Sequence, residues 1–194
     1  MITAAQRSAA RLFLGDPMQA HFRIRSAVPA DVSGIAHVQI STWHATYRGL
    51  VPDAYLDAMD QAVQEDYWRS LLSANDGDFV VVAESQDLEI AGFACAGPNR
   101  DVELSYVAEL HKLYLAPKWQ GRGVGRRLIE SAAESLLQQN LTSMIVWVLG
   151  GNPFRTFYES VGGTFVSERT IDIGGVPLLD VAYGWRNLHQ PLKA

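Results

Sequence analysis

Residues 108–127 constrain the fold of this chain more than any other stretch. Residues 108–115 (AELHKLYL) read as a β-strand closed by Pro117, and the loop Gln120-Gly121-Arg122-Gly123-Val124-Gly125-Arg126-Arg127 follows. Val124, Leu128, Ala132 and Leu136 then recur every four residues, which predicts a helix over 123–139. A strand, a glycine loop and a helix therefore stand in series. Glycines let backbone N–H groups approach a ligand closely, and the first turn of a helix leaves its N–H groups unpaired, so the natural guest is a phosphate or pyrophosphate. From Lys118 to Arg127 there are four positive charges and no negative one, and Arg122 and Arg126 can reinforce anion binding. The plain alternative is a tight strand-to-helix turn with solvated arginines. Two nucleotide frameworks fail on spacing. A dinucleotide fingerprint needs a small residue where Arg126 stands and an acid near the end of the next strand, which instead leads into Gly150-Gly151. A Walker loop needs Gly-Lys-Ser/Thr where this chain has Gly125-Arg126-Arg127.

The rest of the chain supplies a scaffold for that unit. A strand over 21–27, a helix over 29–45 and a second helical region around Tyr55, Tyr67 and Trp68 come first. A hairpin over 79–95 follows, and beyond the loop come a buried-type strand at 144–149, a helix over 153–161 and two strands meeting at Gly174-Gly175. This predicts one α/β domain with a mixed sheet over 21–188, with an extension at 1–20 and a tail at 189–194. Hydrophobic residues make up 48% and charged residues 19%, as in an ordinary globular protein. With 16 Lys plus Arg against 21 Asp plus Glu the net charge is -5, which argues against nucleic acid as a partner. No apolar run approaches the roughly 18 residues that span a bilayer, and residues 1–20 lack the apolar core of a secretory signal. The expected setting is cytoplasmic, without membrane contact.

The residues Gln120-Gly121-Arg122-Gly123-Val124-Gly125 are similar to the Gln/Arg-x-x-Gly-x-Gly/Ala loop of the GNAT superfamily of N-acetyltransferases. Asn152 and Tyr158 after the next strand, the order of elements and the final hairpin resemble that fold from about His21 to Arg186, and 43–52 (WHATYRGLVP) looks like the acceptor-side helix of many bacterial members. The resemblance implies a mostly antiparallel mixed sheet flanked by helices, with acetyl-CoA as co-substrate. It assigns the cofactor to Leu115, Gln120, Gly121, Arg122, Gly123, Val124, Gly125, Arg126, Asn152 and Tyr158. The Leu115 N–H would polarise the thioester carbonyl, the loop amides would hold the pyrophosphate, and Tyr158 would protonate the leaving thiolate. Asn152 would either bond the pantetheine arm or cap the helix beginning at Pro153. The chain departs from the family where Gly162-Gly163-Thr164-Phe165 replaces glycine followed at once by an aromatic.

An acceptor amine with pKa about 10.4 is protonated at pH 7, and freeing its lone pair costs about 4.6 kcal/mol, so a base is needed. Glu109, eleven positions before Gln120, resembles the glutamate base of some members, and His111 lies two positions on along the same strand face. Cys95, the single cysteine, sits in an apolar strand and reads as a small hydrophobe, which favours direct transfer in a ternary complex over an acyl-cysteine. The five histidines show no paired ligand spacing, so no metal is expected. Five acids and no base lie between Asp53 and Asp66, close in sequence to Trp43, Tyr47 and Tyr55. If that segment rims the acceptor mouth it favours a cationic amine such as a polyamine, an aminoglycoside or a lysine-like group; otherwise it is a solvated helix face. The expected partner is thus a small-molecule amine, with a homodimer left open. Competing readings are a non-catalytic acyl-CoA-binding regulatory module and a protein N-terminal acetyltransferase.

Overall fold

Short alternating segments separated by glycine turns pair into a single seven-stranded sheet in this computed structural model, which describes residues 22–74, 76–101 and 103–193. The expected extension at 1–20 lies outside the described residues. The strands are β1 (Phe22–Ser26), β2 (Phe79–Ser85), β3 (Ile90–Pro98), β4 (Ala108–Leu115), β5 (Met144–Leu149), β6 (Thr164–Ile173) and β7 (Val176–Trp185). The helices are α1 (Val32–Tyr47), α2 (Asp53–Asp57), α3 (Gln61–Ser73), α4 (Val124–Gln138) and α5 (Thr156–Ser160). The spatial order is β1-β2-β3-β4-β5-β7-β6, and every neighbouring pair is antiparallel except β4 with β5.

Helices cover both faces because each presents an apolar stripe. Val124, Leu128, Ile129, Ala132, Ala133 and Leu136 are all buried, and they carry α4 onto Ala108, Leu110, Val146, Val181 and Tyr183. On the opposite face Ile35 and Val38 of α1 and Trp68 of α3 pack on Val80, Val82 and Phe93. The buried Trp68 indole N–H donates to Gln39 Oε1 at 2.8 Å, joining α3 to α1.

Two breaks in regularity make the site. The parallel contact of β4 with β5 lasts only for Ala108↔Met144 and Glu109↔Ile145, after which the strands diverge and leave a wedge in the middle of the sheet. A bulge on β4 passes the β3 pairing from Leu110 directly to Lys112, so His111 is the extra residue. The bulge shifts the alternation, placing Glu109 and Lys112 on the α1 face although their numbers differ in parity.

Several boundaries correct the sequence reading. Pro29–Asp31 forms a separate 3₁₀ turn before α1, and α1 runs two residues beyond the expected 45 to Tyr47. The second helical region is split, because Asp60 accepts from Val63 N–H at 3.0 Å and caps a new helix. The helix expected over 153–161 is confined to Thr156–Ser160. Asn152 Oδ1 accepts from Phe154 N–H at 2.8 Å and organises a turn in place of the first helical residues.

Candidate active site

The wedge opens into a cleft of about 510 Å³ whose walls come from α1, β4, the glycine loop, β5, the Asn152 turn, α5, β6 and β7. At its phosphate end, Gly121 and Gly123 have φ of +69° and +77°, and a Cβ built on either meets nothing within 4 Å. The left-handed conformation explains glycine at both positions. Gly123 is the N-cap of α4, and the first intrahelical bond is Arg127 N–H to the Gly123 carbonyl. The amides ahead of it are left for a ligand. Open space above two glycines, unpaired amides and the positive end of a 15-residue helix together fit a pyrophosphate.

Along the wedge, ladder geometry decides which backbone groups are free. Ala116 N–H bonds the Ala91 carbonyl, so the alternation of an antiparallel pair turns the N–H and C=O of Leu115 away from β3 and into the gap. The carbonyl is taken by Thr42 Oγ1 at 3.0 Å and Gln120 Nε2 at 3.2 Å. The Leu115 N–H therefore faces the gap, as a donor to a thioester carbonyl must.

The expected residues separate into those the structure brings to the cleft and those it does not. Leu115, Gln120, Gly121, Gly123, Gly125, Arg126, Asn152, Tyr158, His111, Trp43 and Tyr47 line it. Val124 does not, because its side chain is buried under α4, so only its amide can serve a ligand. Arg122 turns over the Trp119 ring at 5.7 Å, and Arg127 lies over Phe22. Arg126 lines the cleft while donating to the Lys193 carbonyl. Tyr55 is 42% exposed and reaches the site only through its ring contact with Trp43 at 6.0 Å. Asn152, besides holding its turn, donates Nδ2–H to Tyr47 Oη at 2.9 Å, so its amide serves the scaffold. The acids between Asp53 and Asp66 are largely engaged locally. Arg48 pairs with Asp53 and Asp57, and Arg69 pairs with Glu65 and Asp66.

Glu109 and His111 form part of a buried chain. His111 Nε2 lies 3.2 Å from Asp78 Oδ1, and Nδ1 lies 3.4 Å from Glu109 Oε1. With a carboxylate oxygen at each nitrogen, the ring has no free lone pair for a substrate proton unless one contact opens. Glu109 is not among the residues lining the main cleft; it lines an adjoining polar pocket with Arg100, Asp101, Glu103, Trp147 and Arg169, and Trp147 is shared by the two. Burial pushes its carboxyl upward, but the His111 hydrogen bond and charge outweigh this and hold it below the usual carboxylate range. Burial raises the Tyr158 phenol well above that of a free tyrosine, with Tyr47 adding to the effect. The Tyr158 hydroxyl has no hydrogen-bond partner among the described residues. Tyr47 is pushed up to about 12, chiefly by burial. Cys95 is buried away from the cleft, and desolvation pushes its thiol up to about 12.

Sequence reasoning missed Asp180, Trp147 and Leu113, all in the cleft wall. A lone acid inside the apolar run 176–185 (VPLLDVAYGW) was the available signal for Asp180. Among the described residues no group of three or more His, Cys, Asp or Glu could hold a metal ion, and no helix is long and apolar enough to cross a membrane.

A central sheet split between its two parallel strands, with a glycine-capped helix facing the split, defines an acyl-coenzyme-handling fold. The sequence model of the Acetyltransferase (GNAT) family matches residues 40–162, and the chain belongs to that family of acetyltransferases. It is 36% identical over 165 residues to the uncharacterized N-acetyltransferase YuaI of Bacillus subtilis, covering 85% of this chain and 93% of that one. It is 34% identical over 110 residues to an aminoglycoside N(6')-acetyltransferase type 1 of Stenotrophomonas maltophilia, covering 55% of this chain and 61% of the relative. Its fold is similar to that of yncA from Salmonella typhimurium, a protein solved with acetyl-CoA, at a TM-score of 0.64 and 20% identity, over 89% of this chain and 97% of that one.

Proposed function

We propose that this acetyltransferase moves the acetyl group of acetyl-CoA to a primary amine of a small cationic molecule, by direct transfer in a ternary complex in the cytoplasm. The observation that carries the reading is the through-going wedge. Free amides of the glycine loop and the α4 N-terminus lie at one end, and the aromatic chamber of Trp43, Tyr47, Tyr114 and Trp147 at the other. Acetyl-CoA supplies an activated acyl carbon when bound. The amides of 123–126 hold its phosphates, and the Leu115 N–H donates to the carbonyl oxygen. Glu109, kept ionised by His111, accepts the ammonium proton directly or through one water, and the freed nitrogen attacks the acyl carbon. As the carbon–sulfur bond breaks, Tyr158 Oη gives its proton to the leaving sulfur, and the surplus proton on the acylated nitrogen passes through water to the tyrosinate; burial favours a phenol that keeps its proton until a thiolate develops. The burial of Cys95 supports transfer without an acyl-cysteine. The Stenotrophomonas relative, named for an aminoglycoside acceptor, supports a cationic amine.

Initial rates measured over a grid of acetyl-CoA and amine concentrations test this directly. Intersecting double-reciprocal lines are expected, whereas parallel lines would refute direct transfer. Binding of acetyl-CoA without turnover on any amine would refute the enzyme reading in favour of a regulatory module.

A further inference from the structure

Asp180 stands on β7 between β5 and β6, opposite Leu149 on one side and Arg169 on the other. Its neighbours Val181 and Tyr183 point under α4, so strand alternation turns Asp180 to the α1 face, where Glu109 and Trp147 also lie. It is 5% exposed and lines the cleft. Among the described residues its one cationic neighbour is an incomplete partner. Both contacts from Arg169, Nε and Nη2, are 3.3 Å long and fall on Oδ2. The same guanidinium is shared with Asp101 at 3.4 Å and rests on the Trp147 ring at 3.8 Å. Oδ1 receives no hydrogen bond from any described residue. The Trp147 indole N–H, in the same wall, is also buried without a partner. A buried carboxylate with an open oxygen is unfavourable by itself and is completed by a cation. Burial accordingly pushes the Asp180 carboxyl upward, Arg169 opposes the effect, and the Glu109 charge adds to the rise.

Glu109 pairs with Ile145 where β4 and β5 still touch, while Asp180 pairs with Leu149, four residues or about 13 Å farther along β5, so the two carboxylates are offset along one face yet close enough for the Glu109 charge to reach Asp180. Two carboxylates offset along one face, one lining the cleft and one in the adjoining pocket, suit an acceptor with two separated nitrogens.

We propose that Asp180 is the specificity residue of the acceptor site: its Oδ1 binds an ammonium of the acceptor other than the one acetylated, so that primary diamines and polyamines are preferred. This rests on the amine-acetyltransferase reading above. The reacting nitrogen is left to Glu109, and Trp147 flanks the anchored cation.

The test compares two acceptors of equal length, 1,4-diaminobutane and 4-amino-1-butanol, on the full-length protein and its Asp180→Asn variant. The wild type is expected to favour the diamine by about tenfold or more in kcat/KM. Asp180→Asn should lose about thirtyfold on the diamine through KM while leaving the amino alcohol and the KM for acetyl-CoA within twofold. Arg169→Gln, which releases Oδ2, should keep or lower the diamine KM. Because the carboxyl is raised in the fold, its ionised form weakens the fold above the ordinary carboxylate range, so Asp180→Asn at pH 7 should melt no lower than wild type. Equal losses on both amines would overturn the anchor by placing Asp180 at the reacting nitrogen or in the scaffold. No loss on either, or a wild type without preference, would overturn it as well. A wild type that acetylates neither amine would overturn the acceptor reading beneath it, which separates the two failures.

Discussion

Replacing Gly125 with alanine should strengthen the empty protein and leave its hold on coenzyme A nearly unchanged. Gly125 is the second residue of α4, and its φ is not among the positive values of the chain. A Cβ there would meet Phe157 Cζ at 3.5 Å and Leu115 Cδ1 at 3.6 Å, which is ordinary contact. Packing therefore gives no reason for glycine, and helix propensity favours alanine by about 0.5 kcal/mol at this end position. For a chain of this size that raises Tm by about 1–2 °C. Gly125 also lines the cleft, but the methyl would point at the Phe157 and Leu115 side chains, and the family loop takes glycine or alanine at this position. The helix amides stay open, so the Kd for coenzyme A should change by less than about threefold, or under about 0.7 kcal/mol. Gly123→Ala gives the contrasting case. At φ +77° it should cost about 1–2 kcal/mol of stability, since nothing within 4 Å adds a clash. Differential scanning fluorimetry of the empty variants and calorimetric titration with coenzyme A read the two effects separately. A Kd for coenzyme A raised tenfold or more in Gly125→Ala would refute this placement of the methyl, and a lowered Tm would refute the packing argument.

Tyr158→Phe should lower kcat about a hundredfold with acetyl-CoA affinity and Tm unchanged, because the hydroxyl has no partner to lose. A kcat within twofold of wild type would remove Tyr158 from the reaction. Burial pushes Asp31 upward, but Arg25, 2.6 and 2.8 Å from its two oxygens, and the Val28 N–H at 2.8 Å win and hold its carboxyl low. Its contribution is complete above the ordinary carboxylate range and is lost as pH falls through the depressed value. Asp31→Asn should thus cost about 1–3 kcal/mol at neutral pH and flatten the fall of Tm toward pH 3; parallel curves would disprove the coupling.

The phosphate end was legible because local rules govern it. A strand closed by Pro117, glycines at 121 and 123 and a four-residue apolar repeat specify a loop and a helix start without reference to the rest of the chain. Strands 108–115 and 144–149 and the turn at Gly174-Gly175 were readable from alternation and turn chemistry for the same reason. The helix expected at Pro153 was not, because an asparagine side chain competing for a backbone N–H weighs as much there as proline's preference for a first turn. The acceptor end depends on register and pairing. A bulge at His111 decides which β4 side chains share a face, and the early parting of β4 from β5 opens the wedge. The acids between Asp53 and Asp66, conspicuous in the sequence, are taken up by Arg48 and Arg69, whereas the isolated Asp180 reaches the cleft. By itself the sequence determined the family, the glycine loop and most of the elements, since these follow from contacts between near neighbours in the chain. Only the tertiary structure decided that Asp180 reaches the cleft while Glu109 lines the adjoining polar pocket, because residues 109 and 180 are placed by strand pairings that no local pattern encodes.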